Sequence, residues 1–143
     1  MTEELTNYNQ QMIEQFRANG GKMGAGALSM LLLTTTGAKS GRTYLNPLAA
    51  YQEDGRLFVV ASKAGSPRNP DWYHNLVANP TVTVEHDGEK FDATARVLAD
   101  EERDQLFARI VEQATQFGEY QGKTSRKIPL VELVRVGESG SKS

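Results

Sequence analysis

Hydroxyl groups, glycines and cations lie close together in one short segment, Thr34–Arg42 (TTTGAKSGR). Backbone N–H groups of such turns can form an anion-binding concavity, and lysine and arginine side chains add positive charge to it. The segment is not a P-loop, because the order G-x-x-x-x-G-K-[ST] is absent. Two interpretations therefore stay open on these residues alone: a phosphate-binding turn, or an ordinary solvated turn.

A second segment of similar character, Ala61–Arg68 (ASKAGSPR), is followed at once by the ring-rich segment Asn69–Leu76 (NPDWYHNL). Small residues let a flat ring approach the backbone, and Trp72 can either wall such a ring or pack into a core. His74 and His86 are better explained as surface or hydrogen-bonded histidines, since neither has a metal-binding spacing such as H-x-x-x-H. We therefore predict no metal site.

The third segment with functional groups is Phe117–Pro129 (FGEYQGKTSRKIP). No nucleophile–base pair is evident in the sequence, because Ser40 and Ser62 have no histidine nearby and a G-x-S-x-G elbow is absent. If the protein is an enzyme, its chemistry is expected to belong to a cofactor.

Composition narrows the classes of function further. The chain has 143 residues, no cysteine and a formal net charge of −2. The lack of cysteine excludes disulfides, thiolate metal sites and cysteine nucleophiles. The slight negative charge disfavours a bulk electrostatic hold on nucleic acid, so we expect no nucleic-acid partner.

Apolar residues at helical spacing predict an amphipathic helix from Thr2 to about Ala18, ended by Asn19-Gly20-Gly21. The apolar stripe comprises Leu5, Tyr8, Met12, Ile13 and Phe16. Such a stripe ordinarily packs on a core, and the alternative is peripheral contact with a membrane surface. The acidic N-terminus lacks signal-peptide features, so the expected location is the cytoplasm, with membrane association as the alternative.

The rest of the chain reads as six strands with short helices between them. The predicted strands are Leu28–Thr36, Pro47–Gln52, Arg56–Ser62, Thr81–Glu85, Lys90–Leu98 and Pro129–Val136. Asp54-Gly55 and Asp87-Gly88 are hairpin signals. One helix is expected to follow Asn69, which would be its N-cap residue. Another is expected to begin at Asp100, where acidic residues suit the start of a helix. Strands in hairpin order, without βαβ alternation, predict a mainly β fold with flanking helices: an antiparallel barrel.

We divide the chain accordingly into a helix and linker (1–26, with a flexible connector over 22–26), a barrel domain (27–137) and a disordered tail (138–143).

Seven stretches, in order and in register, resemble the deazaflavin-dependent nitroreductase family, whose members use coenzyme F(420). They are LLLTTTGAKSGR (31–42), NPL (46–48), ASKAG (61–65), NPDWYHNLVANP (69–80), ATAR (93–96), DEER (100–103) and YQGKTSRKIP (120–129). The resemblance implies a split β-barrel related to the barrels that bind flavin mononucleotide.

The resemblance also implies roles for individual residues. Lys39, Ser40 and Gly41, with Arg42, would hold the cofactor phosphate. Pro47 would border the ring, Ala61, Ser62 and Lys63 would line its polar edge, and Trp72 would support the pocket. Asn46, Leu48, Asn69, Pro70 and Tyr73 complete the implied cofactor-binding set. Ser62 and Tyr120 would face the substrate as catalytic residues.

Two departures from the family pattern qualify this transfer. Many members have an arginine where this chain has Tyr44, which leaves Arg42 and Lys39 to neutralise the phosphate. The substrate-pocket tyrosines of nitroimidazole-activating members correspond to Ala114 and Phe117, and only Tyr120 is kept.

The function implied is an F(420)H2-dependent reductase that transfers a hydride to quinones, enones or related activated double bonds, with nitroaromatics as a further class. Its partner would be a small-molecule electron acceptor, and the protein would be a monomer or a homodimer. The alternatives are an FMN-dependent oxidoreductase on the same barrel and a non-catalytic deazaflavin-binding module.

Overall fold

The computed structural model describes residues 2–22, 24–25 and 28–136, except for the side chains of residues 2–8, 24–25 and 64. The predicted disordered tail (138–143) and the side chains of Leu5 and Tyr8 lie outside this described part. The helices are α1 (Thr2–Ala18), α2 (Asp71–Ala78), α3 (Asp100–Gln113) and α4 (Gln116–Gly122). The strands are β1 (Gly24–Ala25), β2 (Leu28–Thr36), β3 (Thr43–Glu53), β4 (Arg56–Val60), β5 (Thr81–His86), β6 (Glu89–Val97) and β7 (Leu130–Arg135). A single 3-10 turn covers Lys63–Gly65.

Six of the described strands form a closed antiparallel barrel in the order β2-β3-β4-β7-β6-β5. β5 returns to β2 through the pairs Leu32↔Glu85, Leu33↔Val84 and Thr34↔Thr83, which closes the sheet. The predicted split β-barrel with flanking helices is confirmed. The connector predicted over 22–26 is wrong in part, because Gly24 and Ala25 pair with Ser29 and Leu28 as β1.

Side chains alternate between the barrel interior and its outer face, as the period of two in a strand requires. On β2, Leu31 and Leu33 belong to the interior cluster, whereas Leu32 between them packs outward with α1. The interior is filled by aliphatic residues of all six barrel strands, together with Trp72 and Leu76 of α2.

The described side chains of α1 pack on the barrel. Ile13 and Phe16 are buried against Leu32, and Arg17 makes a two-point ion pair with Glu85, with an Nη2–Oε2 distance of 2.9 Å. The prediction that the stripe packs on a core is confirmed for Ile13 and Phe16. No helix in the described ranges is both long and apolar enough to cross a membrane.

Two predicted strand ends need correction. β3 begins at Thr43 rather than at Pro47, because Thr43 and Tyr44 pair with Thr36 and Thr35. Pro47 is tolerated because this half of β3 has only β2 beside it, since β4 pairs from Ala50 onward. β4 ends at Val60 instead of Ser62.

Strand direction puts the connections into two groups at opposite ends of the barrel. The loop end carries residues 37–42, between β2 and β3, and residues 61–70, between β4 and α2. The hairpin end carries the tight turns 54–55 and 87–88. Both cation-bearing segments of the sequence, Thr34–Arg42 and Ala61–Arg68, therefore lie at the loop end.

Candidate functional site

The 37–42 loop is compact and held by its own hydroxyl groups. The Ser40 Oγ accepts a hydrogen bond from the Arg42 N–H at 3.1 Å and lies 3.2 Å from the Tyr44 hydroxyl. A Cβ at Gly37 would lie 2.6 Å from the Ser40 Oγ and 2.9 Å from the Tyr44 ring, so a larger residue there would displace these side chains. The Ser40 hydroxyl thus shapes the loop, while the side chains of Lys39 and Arg42 are exposed.

Asn75 of α2 and Asn79, the C-cap residue of that helix, bind this loop and the end of β2. The Asn75 Oδ1 accepts the Ala38 N–H at 3.1 Å, and its Nδ2 donates to the Thr35 Oγ1 at 3.2 Å. The Asn79 Nδ2 donates to the carbonyls of Thr36 and Gly37. Sequence reasoning assigned no role to these asparagines, although their spacing of four residues puts them on one helix face.

The second segment forms a strained turn. Ser62 has helical backbone angles, Lys63 has a φ of 45° and Gly65 a φ of 83°. A positive φ at a lysine is uncommon, and such strain concentrates at functional sites. Ser62 is 9% exposed, and within the described ranges its hydroxyl has no hydrogen-bond partner. The Lys63 side chain is exposed.

The Arg126 side chain binds the segment that contains this turn through four hydrogen bonds. Its guanidinium donates to the carbonyls of Ser62 (2.8 Å), Ser66 (2.9 Å) and Ala61 (3.2 Å) and to the Asn69 Oδ1 (2.7 Å). Partial burial lowers the pKa of Arg126 from its ordinary value. The prediction that Asn69 caps α2 is wrong: Pro70 is the N-cap residue, no side chain caps the helix, and the Asn69 oxygen accepts from Arg126 instead.

The third segment reaches the same turn through α4. A Cβ at Gly65 would lie 2.8 Å from the Tyr120 carbonyl oxygen and 3.0 Å from the Lys123 Cβ, so the turn and α4 are in direct contact. The Tyr120 ring packs edge-on against Phe117, with ring centroids 5.8 Å apart. In the described part of the chain the Tyr120 hydroxyl has no hydrogen-bond partner. The structure therefore brings the elements carrying Ser62 and Tyr120 together.

Ala114 and Phe117 are each 6% exposed and belong to the apolar cluster between α3, α4 and the outer face of the barrel. Phe117 is the buried residue of α4, and Ala114 is the C-cap residue of α3. Their assignment as substrate contacts stays a prediction.

The remaining predicted cofactor residues lie either in or against the barrel core or in the half-buried first part of β3. Trp72 is 7% exposed and packs in the barrel core with Ala61, and Tyr73 and Leu48 pack against that cluster. Core packing, one of the two interpretations of Trp72, is therefore observed. Asn46 and Pro47 are half-buried and lie in the part of β3 that has one neighbouring strand.

Charge in the two turns at the loop end is one-sided, and the next acid is Asp71 at the start of α2. Residues 34–52 and 57–70 together contain Lys39, Arg42, Lys63 and Arg68 and not one aspartate or glutamate. None of these four cations has an acidic partner among the residues that the structure describes, whereas Arg17 and Arg109, for example, are paired with carboxylates at 2.9 and 2.8 Å. Exposed cations around shaped backbone turns suit a phosphorylated ligand.

Two cavities lie away from this surface. One of about 310 Å³ is at the hairpin end and is lined by residues that include His86, Phe91 and Arg135. The other, of about 250 Å³, lies between the end of α1 and the β5–β6 hairpin. His86 itself is buried and lies 3.0 Å from the Ser29 Oγ, and burial lowers its pKa. The candidate site is thus an open face of the barrel rather than either cavity.

Comparison with known proteins gives the family. A model of the F420H(2)-dependent quinone reductase family matches residues 8–135. The F420H(2)-dependent quinone reductase Rv1261c of Mycobacterium tuberculosis is 38% identical in an alignment of 128 residues that covers 84% of this chain and 85% of the relative. The chain belongs to the F420H(2)-dependent quinone reductase family.

Two solved structures agree with this membership. A chain described as an F420-H2 dependent reductase (FDR-A) is 45% identical, with a TM-score of 0.66, over 73% of this chain and 92% of that one. A second structure, described as a domain-swapped dimer, is 38% identical, with a TM-score of 0.69, over 92% of this chain and 98% of that one. The resemblance inferred from the seven sequence stretches is thereby confirmed.

Proposed function

We propose that this protein is an F(420)H2-dependent oxidoreductase that reduces quinones, with enones or related activated double bonds as further acceptors. The observation that carries the proposal is the pair of turns at the loop end, which hold four cations and no acid and are both joined to α2. Membership of the chain in the F420H(2)-dependent quinone reductase family indicates that the ligand of these turns is coenzyme F(420).

The residues present fit such a ligand in chemical type. Lys39 and Arg42 extend from a loop whose backbone is fixed by Ser40 and Asn75, so they can bind a phosphate group without an acidic competitor. We assign the cofactor ring to Pro47 and to the strained 61–65 turn, whose small residues let a flat ring approach the backbone. Bound coenzyme F(420) in its reduced form supplies a hydride from a ring carbon.

Ser62 and Tyr120 are assigned to the acceptor. Reduction of a quinone or enone places negative charge on an oxygen, which a hydroxyl donor can stabilise or protonate. Neither hydroxyl is used in a hydrogen bond within the described residues, and the elements that carry them are in contact at Gly65. We therefore assign Ser62 and Tyr120 as the hydroxyl donors to the acceptor.

Anaerobic titration with coenzyme F(420) and with FMN, followed by F(420)H2 oxidation with a panel of quinones and enones, tests the proposal. We expect binding of F(420) and acceptor-dependent oxidation. Tight FMN binding without F(420) binding would contradict the choice of cofactor. Binding of F(420) without acceleration by any acceptor would instead favour the binding module.

Assembly and location belong to the same proposal. The relative described as a domain-swapped dimer favours the homodimer over the monomer, and light scattering after size-exclusion chromatography measures which state is present. A cytoplasmic location and peripheral membrane contact through α1 stay predictions from the sequence. Cosedimentation with anionic vesicles tests membrane contact.

A further inference from the structure

Arg126 binds four neutral acceptors, whereas Arg103 combines two neutral acceptors with Asp104. The four acceptors of Arg126 are three backbone carbonyls and the Asn69 amide oxygen. By contrast, Arg17, Arg56, Arg96 and Arg109 pair with glutamates. A guanidinium has five donors in a rigid fork, which allows one side chain to hold several acceptors in a fixed geometry.

These acceptors define the turn at the candidate site. They come from Ala61, Ser62, Ser66 and Asn69, so the contacts span the segment between the end of β4 and the start of α2. The Ser62 carbonyl accepts from both Arg126 and the Gly65 N–H, at 2.8 and 2.9 Å. Two hydrogen bonds to one carbonyl fix the orientation of the Ser62–Lys63 peptide. The strained φ of Lys63 is the rotation about the bond that follows this peptide.

We propose that Arg126 is a positioning residue for the reductase site: by binding the carbonyls of the 61–66 turn it sets the placement of the Ser62 hydroxyl and the Lys63 side chain. The inference rests on the proposed function for the catalytic role of the turn. The hydrogen bonds from Arg126 to the turn do not depend on that function. Because the guanidinium binds four acceptors at once, a lysine at this position keeps the charge without keeping the geometry.

Hydrogen exchange in the absence of any cofactor tests the hold on the turn. Arg126→Lys and Arg126→Gln should each speed exchange of the 61–70 amides by about 10-fold or more, with β6 (89–97) unchanged. Asn69→Ala, which removes one of the four acceptors, should give a smaller change in the same segment. Arg109→Gln, at the exposed pair with Glu53, is the control and should leave 61–70 unchanged.

A double-mutant cycle with Ser62→Ala then tests whether Arg126 acts through Ser62. Arg126→Lys should lower kcat about 10-fold or more, with a smaller change in the KM for the quinone, and should add less than about 3-fold to the loss in Ser62→Ala. Independent losses, whose factors multiply, would overturn the positioning role.

The two measurements separate the possible failures. Unchanged exchange of 61–70 in Arg126→Gln and Asn69→Ala would overturn the inference whatever the activity. Faster exchange together with wild-type kcat in Ser62→Ala would instead contradict the role given to Ser62 in the proposed function. If Arg126→Gln does not fold, Arg126→Lys and Asn69→Ala give the same readout, and unchanged exchange of 61–70 in both would overturn the inference.

Discussion

Gly65 and Tyr120 are in direct backbone contact, although they are far apart in the sequence. A Cβ on Gly65 would lie 2.8 Å from the Tyr120 carbonyl oxygen, closer than a Cβ contact can be. This contact joins the 63–65 turn to α4. Together with the hydrogen bonds from Arg126 to the carbonyls of Ser62 and Ser66, it brings the third segment to the site formed by the first two.

Gly65→Ala should therefore separate the turn from α4. The substitution adds a Cβ at a φ of 83° and against backbone, so we expect a loss of about 1–3 kcal/mol in the free energy of unfolding. Urea unfolding measures it. Gly55→Ala is a matched control, because Gly55 has a similar φ of 75° and nothing lies within 4 Å of its Cβ position. An equal effect of both substitutions would show that the contact is unimportant.

Lys39→Ala should weaken binding of coenzyme F(420) by about 10- to 100-fold, the loss expected for one charge-assisted phosphate contact of about 1.5–3 kcal/mol. Fluorescence titration at low ionic strength measures the Kd, because salt would screen an exposed contact. Lys90→Ala removes an exposed lysine on β6 and should leave the Kd unchanged. An unaltered Kd in Lys39→Ala would mean that the 37–42 loop is only a turn.

Asn75→Ala should loosen the same loop without removing a charge. It deletes the hydrogen bonds to the Ala38 N–H and the Thr35 hydroxyl, each of which contributes about 1 kcal/mol. We expect a weaker affinity for F(420) and faster hydrogen exchange in 36–42. Val77→Ala, at an exposed position of α2, is the control. Wild-type affinity in Asn75→Ala would show that these hydrogen bonds do not matter for binding.

Ser62→Ala and Tyr120→Phe should each lower kcat with less effect on the Kd for F(420). Loss of one donor to a developing oxyanion costs about 10²–10³-fold in a closed site, and we expect a smaller loss on this open face. Steady-state kinetics with a good quinone acceptor measure it. Tyr51→Phe is the control, since the Tyr51 hydroxyl donates to Glu53 near the hairpin end. Wild-type rates across pH in both variants would assign proton delivery to water.

Glu132 should make the free energy of unfolding depend on pH in the acidic range. Hydrogen bonds from Arg56, and then from Arg96, lower the pKa of Glu132 below its ordinary value of 4.5, against the effect of burial. A lowered folded-state pKa means that this stabilisation is complete above about pH 4.5 and is lost as the pH falls through the folded-state pKa.

Glu132→Gln should accordingly cost about 1–3 kcal/mol at pH 7, and the difference from the wild type should shrink below about pH 4.5. Urea unfolding from pH 3 to 7 measures this. Glu101→Gln, at an exposed acid in the first turn of α3, should show little change. A difference that is constant over the whole pH range would contradict the ion pair as its origin.

Local signals in the sequence determined the barrel strands and their hairpins. Both Asp-Gly pairs adopt positive φ at both residues, 54° and 75° at Asp54 and Gly55 and 53° and 83° at Asp87 and Gly88, as tight hairpin turns require. The alternation of apolar residues along β5 and the acidic start of α3 likewise act within a few residues. Such features are readable in the sequence because the interacting groups are neighbours in the chain.

The tertiary structure alone decided which distant groups meet. The local sequence predicts Asn69 as a helix cap, but its side-chain oxygen accepts a hydrogen bond from Arg126, 57 residues away. The Asn75 side chain likewise accepts the N–H of Ala38, which is 37 residues away. β3 extends past Pro47 to Thr43 only because β2 offers it a partner. A side chain with several possible acceptors binds the one that the fold brings within reach, and no local pattern encodes that choice. The sequence by itself therefore determined the elements and the chemical types at the site, whereas closure of the barrel determined their arrangement.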